Sequence, residues 1–168
     1  DAALMETFFS TRHSARDFSD RKISDDTLRK AVSMALFAPS ACNRQPTKVY
    51  SVSGAKKESL GFRNDYNADQ YLVITADMNA FTPAEYGDWV VSASIFAAYL
   101  VLALHSLGIG SCILRKDMHF GDEYVAKMRK ACAVPKNEKI VLEIGIGYYK
   151  DEFFAAVSNR KKAEDILK

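Results

Sequence analysis

Leu28, Ala31, Val32, Ala35 and Leu36 recur three and four residues apart, the spacing of one helical face, and Pro39 closes that element. Ser24 stands where an N-cap belongs, and Asp25 and Asp26 occupy the first turn, where the helix dipole favours acids. A shorter helix is expected over Ala2–Phe9. Short apolar runs predict strands over Lys48–Ser53, Gln70–Ala76, near Ser111–Arg115 and over Lys139–Gly147. Helices are expected at Ala55–Phe62, Asp88–Leu107 and Asp122–Ala131. Pro39–Pro46 and Asn79–Gly87 read as connections, and Tyr148–Lys168 is polar and loosely patterned.

One element stands apart from this alternation. From Trp89 to Leu114 the chain carries no Asp, Glu, Lys or Arg, a run long enough on paper to cross a bilayer. Ser92, Ser94, His105, Ser106 and Ser111 interrupt it, and Gly108–Ile109–Gly110 ends any helix near residue 107. The flanks, Asp88 and Arg115–Lys116, show no positive-inside bias. The expectation is a buried helix and no membrane. A helix apolar on all sides needs cover on all sides, and a small sheet covers one. A second copy of the chain would cover the other, which predicts a homodimer.

Composition narrows the classes. The chain has 168 residues, which fits one domain spanning residues 1–168 and permits roughly two-thirds of the unfolded surface to be buried. Lys+Arg 23 against Asp+Glu 21 leaves a net charge of +2, too balanced for a sequence-independent nucleic-acid binder. Any anion site must therefore be local. Cys42, Cys112 and Cys132 form no C-x-x-C pair and have no adjacent His, so neither a zinc site nor a disulfide framework is expected, and reduced thiols point to the cytoplasm. The stretch Asp1–Phe9 lacks the basic start of a secretory signal.

Three segments could carry chemistry. Arg12-His13-Ser14-Ala15-Arg16 packs two guanidiniums, an imidazole and a hydroxyl into five residues, a donor set suited to phosphate. No glycine-rich dinucleotide fingerprint or P-loop occurs to offer another cradle. Ala38-Pro39-Ser40-Ala41-Cys42-Asn43-Arg44-Gln45-Pro46 carries two amides, Asn43 and Gln45, which donate and accept together and suit a planar heterocycle with alternating C=O and N–H groups. Ser158-Asn159-Arg160-Lys161-Lys162 is a basic stretch near the end. Taken singly, each also fits a solvated turn, a polar loop or a charged tail.

Together, in this order, they resemble the nitroreductase family of flavin enzymes. Arg12-His13-Ser14-Ala15-Arg16-Asp17-Phe18 resembles that family's opening basic stretch, and Ala38–Pro46 its A-P-S-x-x-N-x-Q-P loop. Leu107-Gly108-Ile109-Gly110-Ser111-Cys112 and Ile144-Gly145-Ile146-Gly147-Tyr148 resemble two later motifs, and Arg160 a late arginine. The resemblance implies an α+β fold with a small, mainly antiparallel sheet flanked by helices and a long apolar helix at a homodimer interface. It implies FMN as cofactor, with Arg12, His13, Ser14 and Arg160 at the phosphate and Arg16 beside the N1–C2=O side of the ring. Pro39, Ser40, Ala41 and Asn43 would come from the other subunit, with Gln45 supporting their loop, and Ile113, Leu114 and Arg115 would pass the ring near N5.

The activity implied is hydride transfer from NAD(P)H to the flavin and on to a nitroaromatic, quinone or similar acceptor, in ping-pong order and without a catalytic side chain. Two alternatives remain open on the sequence: a flavin-binding protein with little turnover, and a flavin-fragmenting or dehalogenating member. The chain departs from the family in Arg115-Lys116, in Ala97-Ala98 where an amide pair is common, and in the short Asp77–Gly87 connection, which predicts an open site. His105 is expected to be structural, and Cys42 and Cys112 to serve as small packing residues.

Overall fold

A computed structural model describes residues 1–60, 66–115, 117–155 and 158–167, with the side chains of 117–120 left aside. The elements are α1 (Ala2–Thr11), α2 (Asp25–Ala35), β1 (Thr47–Val52), α3 (Gly54–Ser59), β2 (Gln70–Asp77), α4 (Asp88–Ser106), β3 (Ile109–Leu114), α5 (Asp117–Cys132), β4 (Glu138–Tyr148) and α6 (Ala163–Ile166). Single 3₁₀ turns lie at Ala41–Asn43 and Met78–Ala80. α5 is broken at Gly121, whose φ of 68° and ψ of −164° only glycine adopts readily, and the regular pattern visible in the sequence begins just after that break.

The four strands form one sheet in the order β1-β2-β4-β3, antiparallel at every pairing. Its two central strands are covered on both faces, which explains why Tyr71, Leu72, Val73 and Ile74 run without a polar interruption. Leu72, Ile74, Ile144 and Ile146 join Ala31, Ala35, Phe96, Leu100 and Leu104 in a core beneath α2 and α4. Tyr71 and Val73 belong to a second core with Phe18, Met128, Cys132 and Val134 on the opposite face.

Helix α2 begins as its sequence predicts. The Ser24 hydroxyl accepts the Thr27 N–H at 3.2 Å, and Ala31 and Ala35 are fully buried. Replacing Ser24 by Ala is expected to cost about 1 kcal/mol, read as a small fall in melting temperature with no change at the sheet. A melting curve superposing on wild type would show that the cap contributes nothing.

Helix α4 has the length and hydropathy of a membrane span, but it lies against α2, β2 and β3. Ser92, Ala93, Phe96, Ala97, Leu100, Val101, Ala103 and Leu104 form its buried side. The other side is apolar too: Val91 is 56% and Tyr99 40% exposed, with Ala98 beside them. α1 buries no residue at all, although it carries Leu4, Met5 and Phe9.

Candidate functional site

The basic segment following α1 is not a loose turn. It runs extended along the outer edge of β3, with Ser14 bridged to Ser111 in parallel register and the Ala15 N–H donating to the Ser111 carbonyl at 2.9 Å. Farther on, the Ser19 N–H donates to the Tyr148 carbonyl at 2.9 Å. Between these two anchors Phe18 drops into the core and is completely buried.

Two glycines make that possible. Gly110 on β3 and Gly147 on β4 stand directly opposite each other. A Cβ on Gly147 would meet Phe18 Cγ at 2.7 Å, and one on Gly110 would meet the Ala15 Cβ at 2.8 Å. Neither glycine has a positive φ, so what each supplies is space. The G-I-G-S-C and I-G-I-G-Y motifs therefore form the floor on which the basic arm lies.

The arm borders a cleft of about 320 Å³. Arg12, Ser14 and Ser111 supply its polar wall, and Ala98, Val101, Leu102 and Ile113 its apolar wall. Arg12 is half-buried, Ser14 exposed and Ile113 46% exposed. Leu114 packs its side chain against the second core and does not line the cleft. Arg115 is exposed, and Lys116 lies outside the described residues.

His13 is placed differently from Arg12 and Ser14. Its ring stacks on Phe153 at 5.5 Å and 13° and approaches Tyr149 at 5.4 Å, while its Nδ1 lies 3.1 Å from the Thr11 carbonyl and its Nε2 is buried with no partner among the described residues. Together with Arg16 it borders a separate opening of about 480 Å³ toward Tyr149–Phe154. Arg16 itself is exposed, 5.9 Å from the Tyr66 ring centroid. Arg160 lies in the exposed stretch 158–162, and the cleft at Arg12 is lined without it.

The Pro39–Pro46 loop is the most strained segment described. Cys42, Asn43 and Gln45 have φ of 48°, 53° and 49°, in the left-handed region. Asn tolerates that region, but Cys and Gln there cost about 1–2 kcal/mol each. Local bonds compensate. The Ser40 carbonyl accepts the Asn43 N–H at 3.0 Å and the Ser40 hydroxyl accepts the Gln45 N–H at 3.0 Å. Gln45 Nε2 donates to Asn43 Oδ1 at 3.2 Å, a further bond within the loop. The Ala41 N–H donates to Ser92 Oγ at 3.2 Å, which fixes the loop to α4. Ser92 was not foreseen from sequence, although a serine on the buried side of an apolar helix is itself a signal that some backbone group needs a partner. Pro39, Ser40 and Gln45 also border a small hollow of about 30 Å³ with Phe96.

Cys112 is buried, as expected of a packing residue, but Cys42 is exposed on the strained turn and does not pack. His105 is held within the fold: its Nε2 lies 3.1 Å from the Thr11 hydroxyl, its ring lies tilted by 41° against Phe8 with centroids 5.1 Å apart, and burial pulls its pKa down. No cluster of three or more His, Cys, Asp or Glu among the described residues could hold a metal.

The arm cleft and the loop touch different flanks of α4. The loop meets Ser92 and Phe96, whereas the cleft meets Ala98 and Leu102, roughly 120° around the helix at 100° per residue.

The sequence profile described as "Nitroreductase family" matches residues 9–72 and 61–148. The chain belongs to the nitroreductase family. A protein of Archaeoglobus fulgidus, provisionally named an NADH dehydrogenase/NAD(P)H nitroreductase, is 34% identical over 148 residues, covering 84% of this chain and 83% of the relative. The solved structure of an FMN-dependent nitroreductase from Clostridium difficile R20291 superposes with a TM-score of 0.74 at 27% identity, covering 95% of this chain and 92% of that one. A provisionally named nitroreductase from Desulfovibrio desulfuricans, solved in complex with FMN, gives a TM-score of 0.80 at 21% identity, covering 97% and 95%. These matches establish the nitroreductase fold, with its small antiparallel sheet and flanking helices.

Proposed function

We propose that the chain is an FMN-dependent oxidoreductase, with residues 1–168 acting as one domain within a homodimer. The observation that carries this reading is the cleft at Arg12: one wall offers a guanidinium and two hydroxyls, and the other is wholly apolar. That donor set fits a phosphate-bearing group attached to a flat ring system. Arg12 and Ser14 would hold the phosphate end, with His13 and Arg160 brought in on assembly. Arg16 would bring a positive charge to the polar edge of the ring, offsetting the negative charge that reduction adds there. Bound FMN would supply two-electron chemistry, taking a hydride from NAD(P)H and passing it in a second half-reaction to a nitroaromatic, quinone or related acceptor.

The placement of the loop supports a second subunit. Pro39, Ser40, Ala41 and Asn43 sit on another flank of α4 from the arm cleft, so they would read the ring held by the partner. Ile113, Leu114 and Arg115 would pass the ring from the same subunit as the arm. The exposed apolar sides of α1 and α4, and the tail with no buried residue in α6, support such a partner. Buried, unpaired Cys112 and Cys132 are compatible with a reducing compartment, and we place the protein in the cytoplasm.

The test is an absorption spectrum of the purified protein, supplied with FMN and then titrated anaerobically with NADH and with NADPH. Flavin bands that bleach with either donor, and return on adding a quinone or nitroaromatic, are expected. Bands that persist would favour a binding protein with little turnover. No flavin retained by a well-folded protein overturns the reading.

A further inference from the structure

The left-handed turn at Cys42–Gln45 is held from outside as well as from within. Arg44, the one residue of that turn in an ordinary helical conformation, extends its guanidinium to Glu85 in the connection between β2 and α4, with Nη1 2.5 Å from Oε2. Both partners are fixed before they meet. Glu85 Oε2 accepts the Thr82 N–H at 2.7 Å and the Thr82 hydroxyl at 2.9 Å. Arg44 lies over the Phe81 ring, 5.5 Å from its centroid. The connection is itself rooted, because Asp77 Oδ1 accepts from the Asn79 N–H at 2.9 Å and from Asn137 Nδ2 at 2.7 Å, and the Met78 N–H donates to the Asn137 carbonyl at 2.8 Å. The Asp77 N–H donates to the Pro46 carbonyl at 2.9 Å, joining the end of the loop to the start of the connection.

A solvent-exposed ion pair between two mobile side chains contributes little. Here the side chains are only 29% and 23% exposed, and little rotamer freedom remains to be lost. Arg44 holds the Glu85 carboxyl at about 2, well below the usual carboxylate range, so the pair stays charged throughout the neutral range.

We propose that Arg44 and Glu85 are positioning residues, a clamp that holds the strained 42–45 turn in the conformation that reads the flavin edge. This rests on the reading of the loop as part of an FMN site. Residues in left-handed backbone keep that conformation only where their surroundings over-determine it. Without the clamp the turn relaxes, and binding must then draw on a smaller competent population, which weakens apparent affinity by the same factor. The short connection, whose sequence suggests only a missing cover for the site, becomes the buttress of the loop.

The experiment compares wild type, Glu85→Gln, Arg44→Gln and the double variant as purified full-length proteins. FMN affinity, visible circular dichroism of bound FMN and amide hydrogen exchange of the FMN-free protein are measured for each. Each single variant is expected to bind FMN about tenfold more weakly, with an altered flavin circular dichroism. Exchange should be faster at residues 41–45 and unchanged in β2 and β4. The double variant is expected to bind about tenfold more weakly than wild type, no weaker than either single variant, because both substitutions break one interaction. Wild-type affinity and wild-type exchange in Glu85→Gln, or a hundredfold additive loss in the double variant, overturns the clamp. If wild type itself binds no FMN, the flavin reading fails and the clamp's role falls with it. Altered exchange alone, with unchanged flavin binding and spectrum, leaves a stabilising contact and overturns its positioning role.

Discussion

Replacing Arg12 by Ala is expected to weaken FMN binding by about 1.5–3 kcal/mol, or roughly 10- to 150-fold, while leaving the apoprotein as stable as wild type. Arg12 is the charged member of the polar wall and is half-buried beside Ser14 and Ser111, so its guanidinium is presented to the cleft by a backbone already fixed to β3. A phosphate would accept two parallel N–H donors from it, a geometry that ammonium cannot copy. Arg12→Lys should therefore recover only part of the loss. Fluorescence titration of FMN into apoprotein at two salt concentrations checks this. The wild-type complex should weaken more steeply with salt than the Arg12→Ala complex. Equal affinities would show that phosphate is held elsewhere.

Replacing Phe18 by Ala is expected to have the largest effect on stability, about 3–5 kcal/mol. For a protein of this size that corresponds to a fall in melting temperature of roughly 6–20 °C. Phe18 is completely buried and fills the space that the absent side chain of Gly147 leaves open. The consequence extends beyond stability, because Phe18 is the anchor that keeps residues 12–16 on the sheet edge. FMN affinity should fall even at temperatures where the variant remains folded. Gly147→Ala approaches the same contact from the other side, because its Cβ would fall 2.7–2.8 Å from Cβ, Cγ and Cδ1 of Phe18, and it is expected to destabilise the protein as well. A Phe18→Ala variant that melts like wild type and binds FMN normally would show that the arm is held by its backbone bonds alone.

Several elements were legible along the chain because their causes are local. Ser24, Asp25 and Asp26 mark the start of α2, and the pattern from Leu28 to Ala35 marks its buried face. The uncharged run after Trp89 gave α4 its bounds to within a residue. The β strands were found within two residues at each end. Less was legible where glycine broke an element, as at Gly121, since a helical turn ahead of the break carries no apolar repeat of its own. The exposed, left-handed Cys42 was not legible at all. Its conformation follows from bonds to Ser40 and Ser92 and from the Arg44–Glu85 pair, partners up to fifty-one residues away in the chain.

The candidate site divides in the same way. Which residue types gather, arginines and a serine in one short stretch and two amides in another, is a property of the sequence, as is the family to which the order of motifs belongs. Why Gly110 and Gly147 must be glycine is not, because the reason is the ring of Phe18 and the methyl of Ala15 pressed onto them from another part of the chain. Nor does the sequence separate His13 from its neighbours, yet the fold turns its ring into a stack with Tyr149 and Phe153 while Arg12 and Ser14 border the cleft. Local chemistry and hydrophobic period act over a few residues and can be read in order. Orientation, strain and the placing of arm and loop on different flanks of α4 arise only when distant segments compete for the same space, and the tertiary structure alone decides them.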